Sequence, residues 1–327
     1  MSTRTAPSSN RRRSSDDGGF RLATASFAVL VLAIVAGIGF ELFRNSTLPI
    51  RKFGWKFWTT TNWDPVSGEF GALPFIWGTA YSSLFALVLA TPVALGIAIF
   101  VSEISASRFR QPLAFLTELL AAIPSIVYGL WGIFVLVPVV RKLETVISKT
   151  PLSKVPIFRG PPFGIGMLSA GLILTIMVVP FISSVAREVL RAVPMTQREA
   201  AYALGATKWE AIKVALRYGR TGIFGAIILG FGRAFGETMA VTMVIGNNPQ
   251  ISASLFAPQY SMAAVIANEF SEATGNLYLQ ALTEIGLVLF LITLAINVVS
   301  RLLIWSTGRP VRRRAAPPVA APAAEAA

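Results

Sequence analysis

Two residues of opposite charge lie four positions apart inside a long apolar run. The run, Ile223–Gly246, contains Arg233 and Glu237. Residues i and i+4 share one face of a continuous helix, and an ionised side chain at the centre of a membrane helix costs about 2.5–3.5 kcal/mol. The pair is either a self-neutralising ion pair that packs a helix bundle or a fixed charge on a polar path. Because arginine stays protonated, Arg233 would attract anions permanently, and Glu237 would hold it in place and weaken anion binding enough for release.

Hydroxyl groups accompany these charges. Thr238 and Thr242 are also four residues apart, on an adjacent face of the same predicted helix, and Ser125 and Tyr128 follow Pro124 in another apolar segment. A proline frees backbone groups in a helix, so nearby hydroxyls either line a cavity or bond back to the helix; both outcomes are open. The residues that we predict to line a substrate path are Arg233, Glu237, Thr238, Thr242, Ser125 and Tyr128.

The composition is that of a membrane protein. Apolar residues make up 54% of the 327 residues and charged residues 14%, whereas about 25% of an average soluble protein is charged. The chain has no cysteine, no histidine and no G-x-x-x-x-G-K-[ST] phosphate-binding loop. This excludes disulfides, His or Cys metal centres, Ser–His and Cys–His nucleophilic centres, and ATP hydrolysis by a P-loop of its own. No catalytic residue, metal site or cofactor is predicted.

Six apolar segments are each long enough for the ~20 residues that cross a bilayer. Their continuous hydrophobicity predicts an all-α integral membrane protein with six transmembrane helices, and not a β-barrel. The segments are Leu22–Phe43, Leu73–Val101, Leu113–Val140, Phe163–Val185, Ile223–Gly246 and Leu277–Ile304. We predict a transmembrane domain over 21–306 with its core helices over about 73–304, a disordered basic arm over 1–20 and a disordered Ala/Pro-rich tail over 307–327.

Lysine and arginine are unequally distributed between the two sides that six spans define. The side with both termini carries 19 of the 29 Lys and Arg residues, the other side carries nine, and Arg233 lies within a span. The positive-inside rule therefore predicts that both termini are cytoplasmic. The predicted outer loop 141–162 strains this rule, because it carries five cations against the single acid Glu144. Either this loop is basic for a reason or one of the six spans is wrong.

The stretch 193–220, on the predicted cytoplasmic side, has the pattern of two helices joined by a tight turn. Thr196 and Thr207 each precede a glutamate by three residues, as in a capping box. Gly205 lies between them, where a helix ends with a left-handed residue. We predict a helix from about Gln197 to Leu204, a sharp turn, and a new helix that leads into the fifth span. This unit either transmits the movement of a soluble partner into the bundle or lies on the lipid headgroups.

This stretch resembles the EAA loop of ABC-importer permeases. Glu-Ala-Ala at 199–201 is followed by glycine at the offset found in that family, between two late spans, although Arg217-Tyr218 stand where the family usually has Leu-Pro. The resemblance implies that the loop couples the permease to a separate ATPase. The coupling residues that it implies are Glu199, Ala200, Ala201 and Gly205.

Three blocks resemble the PstC-type permeases of phosphate ABC importers. They run over 70–103, 119–138 and 199–247, and the most specific part is Gly-Arg-Ala-Phe-Gly-Glu-Thr at 232–238. The resemblance implies a type I, MetI-like importer permease for inorganic phosphate in the bacterial inner membrane, with an arginine and a glutamate important for transport at Arg233 and Glu237. It implies a PstA-like second permease, two PstB-like subunits that hydrolyse ATP and an external PstS-like phosphate-binding protein. No nucleic-acid partner and no enzymatic activity of the chain itself are expected.

Several alternatives stay open from the sequence. A lone buried arginine suits sulfate or molybdate as well as phosphate. One alternative is therefore an ABC-importer permease for another oxyanion, and a second is such a permease for a small organic solute. A self-contained secondary anion transporter or channel is the competing class; such transporters tend to show two related halves, which we do not find. Gly232 and Gly236 form a small-xxx-small pair that permits close helix approach. That approach is either within the chain or at a seam with a second permease subunit.

Overall fold

The computed structural model describes residues 15–307. Within this range the polypeptide is helical, with only two isolated β-bridges. Short π-helical segments, Phe100–Ile104 and Gly132–Leu136, follow α4 and α6, and 3-10 turns at Pro151–Lys154 and Pro156–Phe158 follow α7. The α-helices are α1 (Ser15–Arg44), α2 (Thr47–Phe53), α3 (Lys56–Thr59), α4 (Leu73–Ile99), α5 (Ser107–Ala122), α6 (Ser125–Trp131), α7 (Val137–Ser148), α8 (Met167–Arg191), α9 (Met195–Ala203), α10 (Lys208–Tyr218), α11 (Arg220–Phe235), α12 (Met239–Val244), α13 (Met262–Glu269) and α14 (Asn276–Thr307).

Five helical segments of the described chain are long and apolar enough to cross a membrane. A sixth candidate is the pair α10 and α11, whose axes meet at 69°. The five segments are Gly18–Arg44, Leu73–Ile104, Ser125–Ser148, Met167–Arg191 and Asn276–Trp305. The predicted boundary of the disordered arm is wrong for residues 15–20, because α1 already begins at Ser15; extending a nucleated helix costs little. The rest of the predicted arm, 1–14, and the tail from 308 lie outside the described residues.

The predicted third span, Leu113–Val140, is wrong. The helix stops at Ala122, Ile123 and Pro124 are extended with ψ of 129° and 138°, and a new helix begins at Ser125. The physical cause is the proline, whose ring pushes the preceding residue out of the helical region. The span therefore runs over Ser125–Ser148, and α5 becomes a separate helix beside the second half of α4. The first cations of the predicted loop 141–162 consequently belong to α7.

Close packing of α4 on α8 forms the centre of the bundle. Ala86, Ala90, Ala94 and Ala98 repeat every four residues along α4 and are fully buried. Small residues at such a spacing let two helix backbones approach closely, and packing contacts of this kind hold helices together in lipid. The helix α11 packs on both α4 and α8. A methyl group on Gly230, near the C-terminal end of α11, would meet Ile182 and Val178 in the middle of α8.

Both ends of the described chain lie at the end of the bundle that carries α9 and α10. The helices α1 and α14 are antiparallel, since Gly39 packs against Phe290 and Leu42 against Gly286. The last turns of α14 line a groove together with the first turns of α11, which directly follows α10. Six crossings, as predicted, would give this arrangement if the bent pair α10 and α11 counts as one span.

Candidate substrate path and coupling helix

The predicted fifth span is broken at its charged residues. The helix α11 ends at Phe235, Gly236 caps it, and α12 begins at Met239 with Thr238 as its N-cap. A glycine inside a helix costs about 1 kcal/mol relative to alanine, and glycines at 230, 232 and 236 weaken this part of the span. The prediction that Arg233 and Glu237 share one face of a continuous helix is therefore wrong.

Each charge lies instead at the helix end that favours it. Arg233 is in the last turn of α11, and a Glu237 carboxylate oxygen accepts a long hydrogen bond, 3.5 Å, from the backbone N–H of Ala240 in the first turn of α12. A helix carries partial positive charge at its N-terminus and partial negative charge at its C-terminus. No salt bridge joins Arg233 to Glu237 within residues 15–307. The structure thus gives no support to the ion-pair alternative.

The short helix α6, which carries Ser125 and Tyr128, packs against α12 next to this break. A methyl group on Gly129 would lie only 2.5 Å from the Met243 sulfur, so α6 and α12 approach closely because this residue is glycine. The Tyr128 hydroxyl donates to the Leu120 carbonyl at 2.8 Å. For Tyr128 the structure therefore shows the back-bonded outcome, in which the hydroxyl satisfies a carbonyl freed by the break before α6.

The two threonines keep their predicted spacing around the break. The Thr242 hydroxyl donates to the Thr238 carbonyl at 2.7 Å. Thr238, Thr242 and Glu237 are half-buried, as is Ser125 at the start of α6. The helices α6 and α12 thus meet beside one helix break, and the hydroxyl groups of Tyr128, Thr238 and Thr242 all donate to backbone carbonyls.

The face that carries Arg233 is open in the single chain. Arg233 is exposed, and its described contact is the Phe181 ring of α8, whose centroid lies 5.6 Å from the guanidinium carbon. A methyl group added at Gly232 would meet nothing within 4 Å, so no helix of the described chain packs on the small-residue pair. The permanent cation of Arg233 thus lies on a face that no other described helix covers.

The predicted turn at Gly205 is confirmed. Gly205 has φ +80°, its N–H donates to the Tyr202 carbonyl at 2.9 Å, and the Ala206 N–H donates to the Ala201 carbonyl at 3.1 Å. These two bonds form a Schellman motif, which satisfies the carbonyls at the end of α9. The turn therefore has a fixed geometry that requires a positive φ.

The two predicted capping boxes have different outcomes. The Thr207 hydroxyl accepts from the Glu210 N–H at 3.4 Å, and the Glu210 carboxylate accepts from the Thr207 N–H at 2.7 Å. This reciprocal pair starts α10 as expected. The capping box at Thr196 is wrong, because Pro194 is the N-cap and Thr196 lies inside α9. Proline at 194 fixes its own φ and begins the helix earlier.

The helix α9 presents both polar and apolar groups to its surroundings. Glu199 and Ala200 are exposed, and Ala201 faces inward. The Glu199 carboxylate makes no hydrogen bond or ion pair within residues 15–307. Leu204 is 90% exposed, and Tyr202 and Trp209 are about half exposed. Large apolar side chains exposed along α9, the turn and the start of α10 are typical of a protein–protein contact.

Arg198 attaches α9 to the bundle, and the sequence patterns gave no sign of it. Its guanidinium donates to both carboxylate oxygens of Glu103, at 2.6 and 3.1 Å, and to the carbonyls of Leu190 and Val193, each at 2.9 Å. Glu103 lies in the π-helical segment Phe100–Ile104 that continues α4, so one side chain joins this segment, the end of α8 and α9. The two charged partners are 95 residues apart, and no local spacing could have connected them.

Comparisons with known proteins agree with this geometry. Residues 90–304 match the family described as binding-protein-dependent transport system inner membrane component. The chain is 44% identical to a phosphate transport system permease protein PstC of Mesorhizobium japonicum, over 89% of this chain and 90% of that protein. It is 46% identical to the PstC protein of Pasteurella multocida, over 87% and 90% of the two chains.

One solved structure is similar in fold. It is a structure of the MetNI methionine ABC transporter in inward facing conformations. The match has a TM-score of 0.51 and 18% identity, and it covers 72% of this chain and 95% of that one. At this identity the likeness concerns the fold alone. The predicted all-α, MetI-like permease fold is confirmed.

Proposed function

Because the chain belongs to the binding-protein-dependent transport permeases, and among them to the PstC proteins, we propose that it forms half of the membrane path of an ATP-driven inorganic phosphate importer. As a permease subunit of the inner membrane it crosses the bilayer several times. Its close relatives are described as phosphate transport permeases. This resemblance favours phosphate over the other oxyanions that a lone arginine would suit.

The observation that carries this proposal is Arg233 at the break between α11 and α12. Phosphate near neutral pH is an anion with several acceptor oxygens, and a guanidinium offers a permanent charge with planar N–H donors. Broken helices at membrane depth are tolerated where they line a water-filled cavity. We assign Arg233 to attract phosphate, Glu237 to limit how tightly it is held, and Thr238, Thr242, Ser125 and Tyr128 to the polar wall.

A second permease subunit, PstA-like, completes this path on the open side. The exposed Arg233 and the unpacked Gly232 support this position for the partner. A path between two subunits also fits the single set of path residues in this chain, since a self-contained transporter would tend to have two related halves. The small-residue pair at 232 and 236 then belongs to the seam between the permeases.

Coupling to ATP hydrolysis occurs through α9 and the turn at Gly205. Two PstB-like ATPase subunits hydrolyse the ATP, and one of them receives Glu199, Ala200 and the apolar side chains beside them. This end of the bundle, together with both chain termini, lies in the cytoplasm, in agreement with the distribution of Lys and Arg. Phosphate is delivered on the opposite side by a PstS-like binding protein.

Reconstitution of the four kinds of subunit in proteoliposomes tests this function. ATP is enclosed in the vesicle lumen, on the side of α9 and α10, and the binding protein is added outside. Uptake of radiolabelled phosphate should then depend on ATP and be insensitive to excess sulfate or molybdate. Omitting this chain should abolish the uptake. Uptake of sulfate or molybdate in preference to phosphate would contradict the proposed substrate, and phosphate uptake without ATP would contradict the proposed class.

A further inference from the structure

An arginine-lined cavity lies beside the coupling helix, away from the break at Arg233. It has a volume of about 50 Å³ between the end of α4, α5 and the end of α8, and its wall includes Ser102, Arg110, Arg187 and Arg191. A larger, more open space of about 370 Å³ shares three of these residues and extends to Arg198 and Tyr202 of α9. The two spaces are therefore adjoining, and together they reach from the bundle to the coupling helix.

The cavity wall contains buried donors without partners. Arg187 is 7% exposed, and its Nη2 donates to Glu118 at 2.7 Å and to Glu188 at 3.1 Å. Its Nε and Nη1 atoms, and the Ser102 hydroxyl, have no hydrogen-bond partner in the described chain. Nearly all buried polar groups in native proteins are hydrogen-bonded. The described chain therefore supplies no acceptor for these three donor groups.

The charges around the cavity leave a net positive site. Four arginines line the two adjoining spaces, Arg110, Arg187, Arg191 and Arg198. The facing carboxylates are Glu103, which binds Arg198, and Glu118 and Glu188, which bind Arg187; Glu188 also lies 3.5 Å from Arg191. Arg110 donates its Nε to the Ser105 carbonyl and is not ion-paired in the described chain. All three carboxylates are thus engaged, and one positive charge remains.

We propose that this cavity binds a phosphate-class oxyanion, held by the free Arg187 nitrogens, the Ser102 hydroxyl and Arg110. The chemistry is that of a tetrahedral anion with several acceptor oxygens, which arginine and hydroxyl donors complement. Inorganic phosphate and the headgroup of an anionic phospholipid both supply it. Because Arg198 and Tyr202 border the adjoining space, the bound anion lies where α9 is attached to the bundle. The site stands on this geometry alone and does not depend on the transport path proposed above.

A single thiol on the cavity wall tests this site. The chain has no cysteine, and Ala114 lines the cavity from α5. The complete importer carrying Ala114→Cys is placed in phosphatidylcholine nanodiscs, without ATP or binding protein, and the rate of maleimide labelling of this chain is measured. Leu116→Cys, two residues along the same helix and outside the cavity, is the matched probe.

Two arms distinguish the sources of the anion. In the first, inorganic phosphate is added; at about ten times its Kd, labelling of the Ala114→Cys thiol should slow about tenfold. In the second, phosphatidylglycerol replaces part of the phosphatidylcholine and no phosphate is added. Protection in the first arm identifies free phosphate, and protection in the second alone identifies a lipid headgroup. The Leu116→Cys thiol should react at the same rate throughout.

Substitutions of the wall separate binding from a general salt effect. Ser102→Ala and Arg110→Gln should each remove most of the protection, whereas Arg108→Gln, an exposed arginine on the same helix that does not line the cavity, should leave it intact. Arg187→Gln strands Glu118 and Glu188, so the conclusion rests on the two milder variants. No protection in either arm, or equal protection with and without the Ser102 and Arg110 changes, would overturn the proposal.

Discussion

The chain has two helix–glycine–helix breaks, and they are built differently. At Gly205 the turn has a positive φ, two backbone hydrogen bonds and a complete capping box on the following helix. At Gly236 the glycine has φ −92°, neither flanking helix end has a side-chain cap, and the Glu237 carboxylate reaches the following helix only at 3.5 Å. The Gly236 and Glu237 N–H groups donate to the Gly232 and Ala234 carbonyls at 3.2 and 3.4 Å. The first break is therefore a stiff joint, and the second is held by longer bonds.

This difference matches the two tasks that we assign to the breaks. A joint that transmits force between an ATPase and the bundle must keep its shape, and satisfied backbone groups at both helix ends provide that. A break in a substrate path must offer polar groups to a passing ion, as the interrupted helices of many transporters do. Substitutions at the two breaks can therefore remove the stiffness of the first or the charge of the second.

The largest effect is expected from removing the attachment of the stiff joint. Arg198→Ala leaves Glu103 buried without its partner, and losing one member of a buried ion pair costs about 3–5 kcal/mol. We expect a lower yield of assembled complex and loss of transport. Glu199→Gln is the neighbouring control: Glu199 has no partner within the described chain, so assembly should be normal and only ATPase stimulation should change. Normal thermal stability of the Arg198→Ala complex would contradict this role.

A change of the turn itself should have a smaller but more specific effect. Gly205→Val forces a β-branched residue into a left-handed conformation, which costs about 1–3 kcal/mol, although a methyl group there meets no neighbour. We expect assembly to survive while phosphate uptake stops and ATPase stimulation falls. Gly275→Val is the matched control, because Gly275 has φ +91° and equally open surroundings far from α9. Equal loss of coupling in both variants would show a general folding defect.

The smallest effect concerns the basic loop at the opposite end of the bundle. Its five cations, Arg141, Lys142, Lys149, Lys154 and Arg159, are all exposed, whereas Glu144 is buried and accepts from the Gly164 N–H. They therefore remain free to meet an acidic surface of the binding protein or to gather anions. Replacing Lys149, Lys154 and Arg159 with Gln should weaken uptake most at low salt. If uptake by the triple variant is unchanged at every ionic strength, the loop has no role in attracting the binding protein or anions.

The sequence predicted the stiff joint well and the charged break poorly, and the reason is physical. The signals at Gly205 are local: one glycine and a Thr-x-x-Glu box within a few residues. The spacing of Arg233 and Glu237 has meaning only if the helix is continuous, and hydropathy does not report where a helix breaks. The same limitation affected the third span, where Pro124 divided one apolar run into two helices. The Arg198–Glu103 pair was out of reach, because only the tertiary fold joins residues 95 positions apart.

The central claim is that Arg233 acts on the substrate and not on Glu237. Two variants separate these roles. Arg233→Gln removes the charge-assisted hydrogen bonds to phosphate, and at about 3 kcal/mol uptake should fall roughly 100-fold. Arg233→Lys should restore part of it, since an ammonium lacks the planar donor fork. Glu237→Gln alone should slow turnover, because phosphate would then be held more tightly.

The most direct measurement is phosphate uptake by the double variant Arg233→Gln with Glu237→Gln, with the yield of assembled complex measured alongside. If the two charges served only each other, neutralising both would restore transport. Our account predicts a complex of normal yield with uptake as low as that of Arg233→Gln alone. Uptake by the double variant at a near-native rate would contradict it.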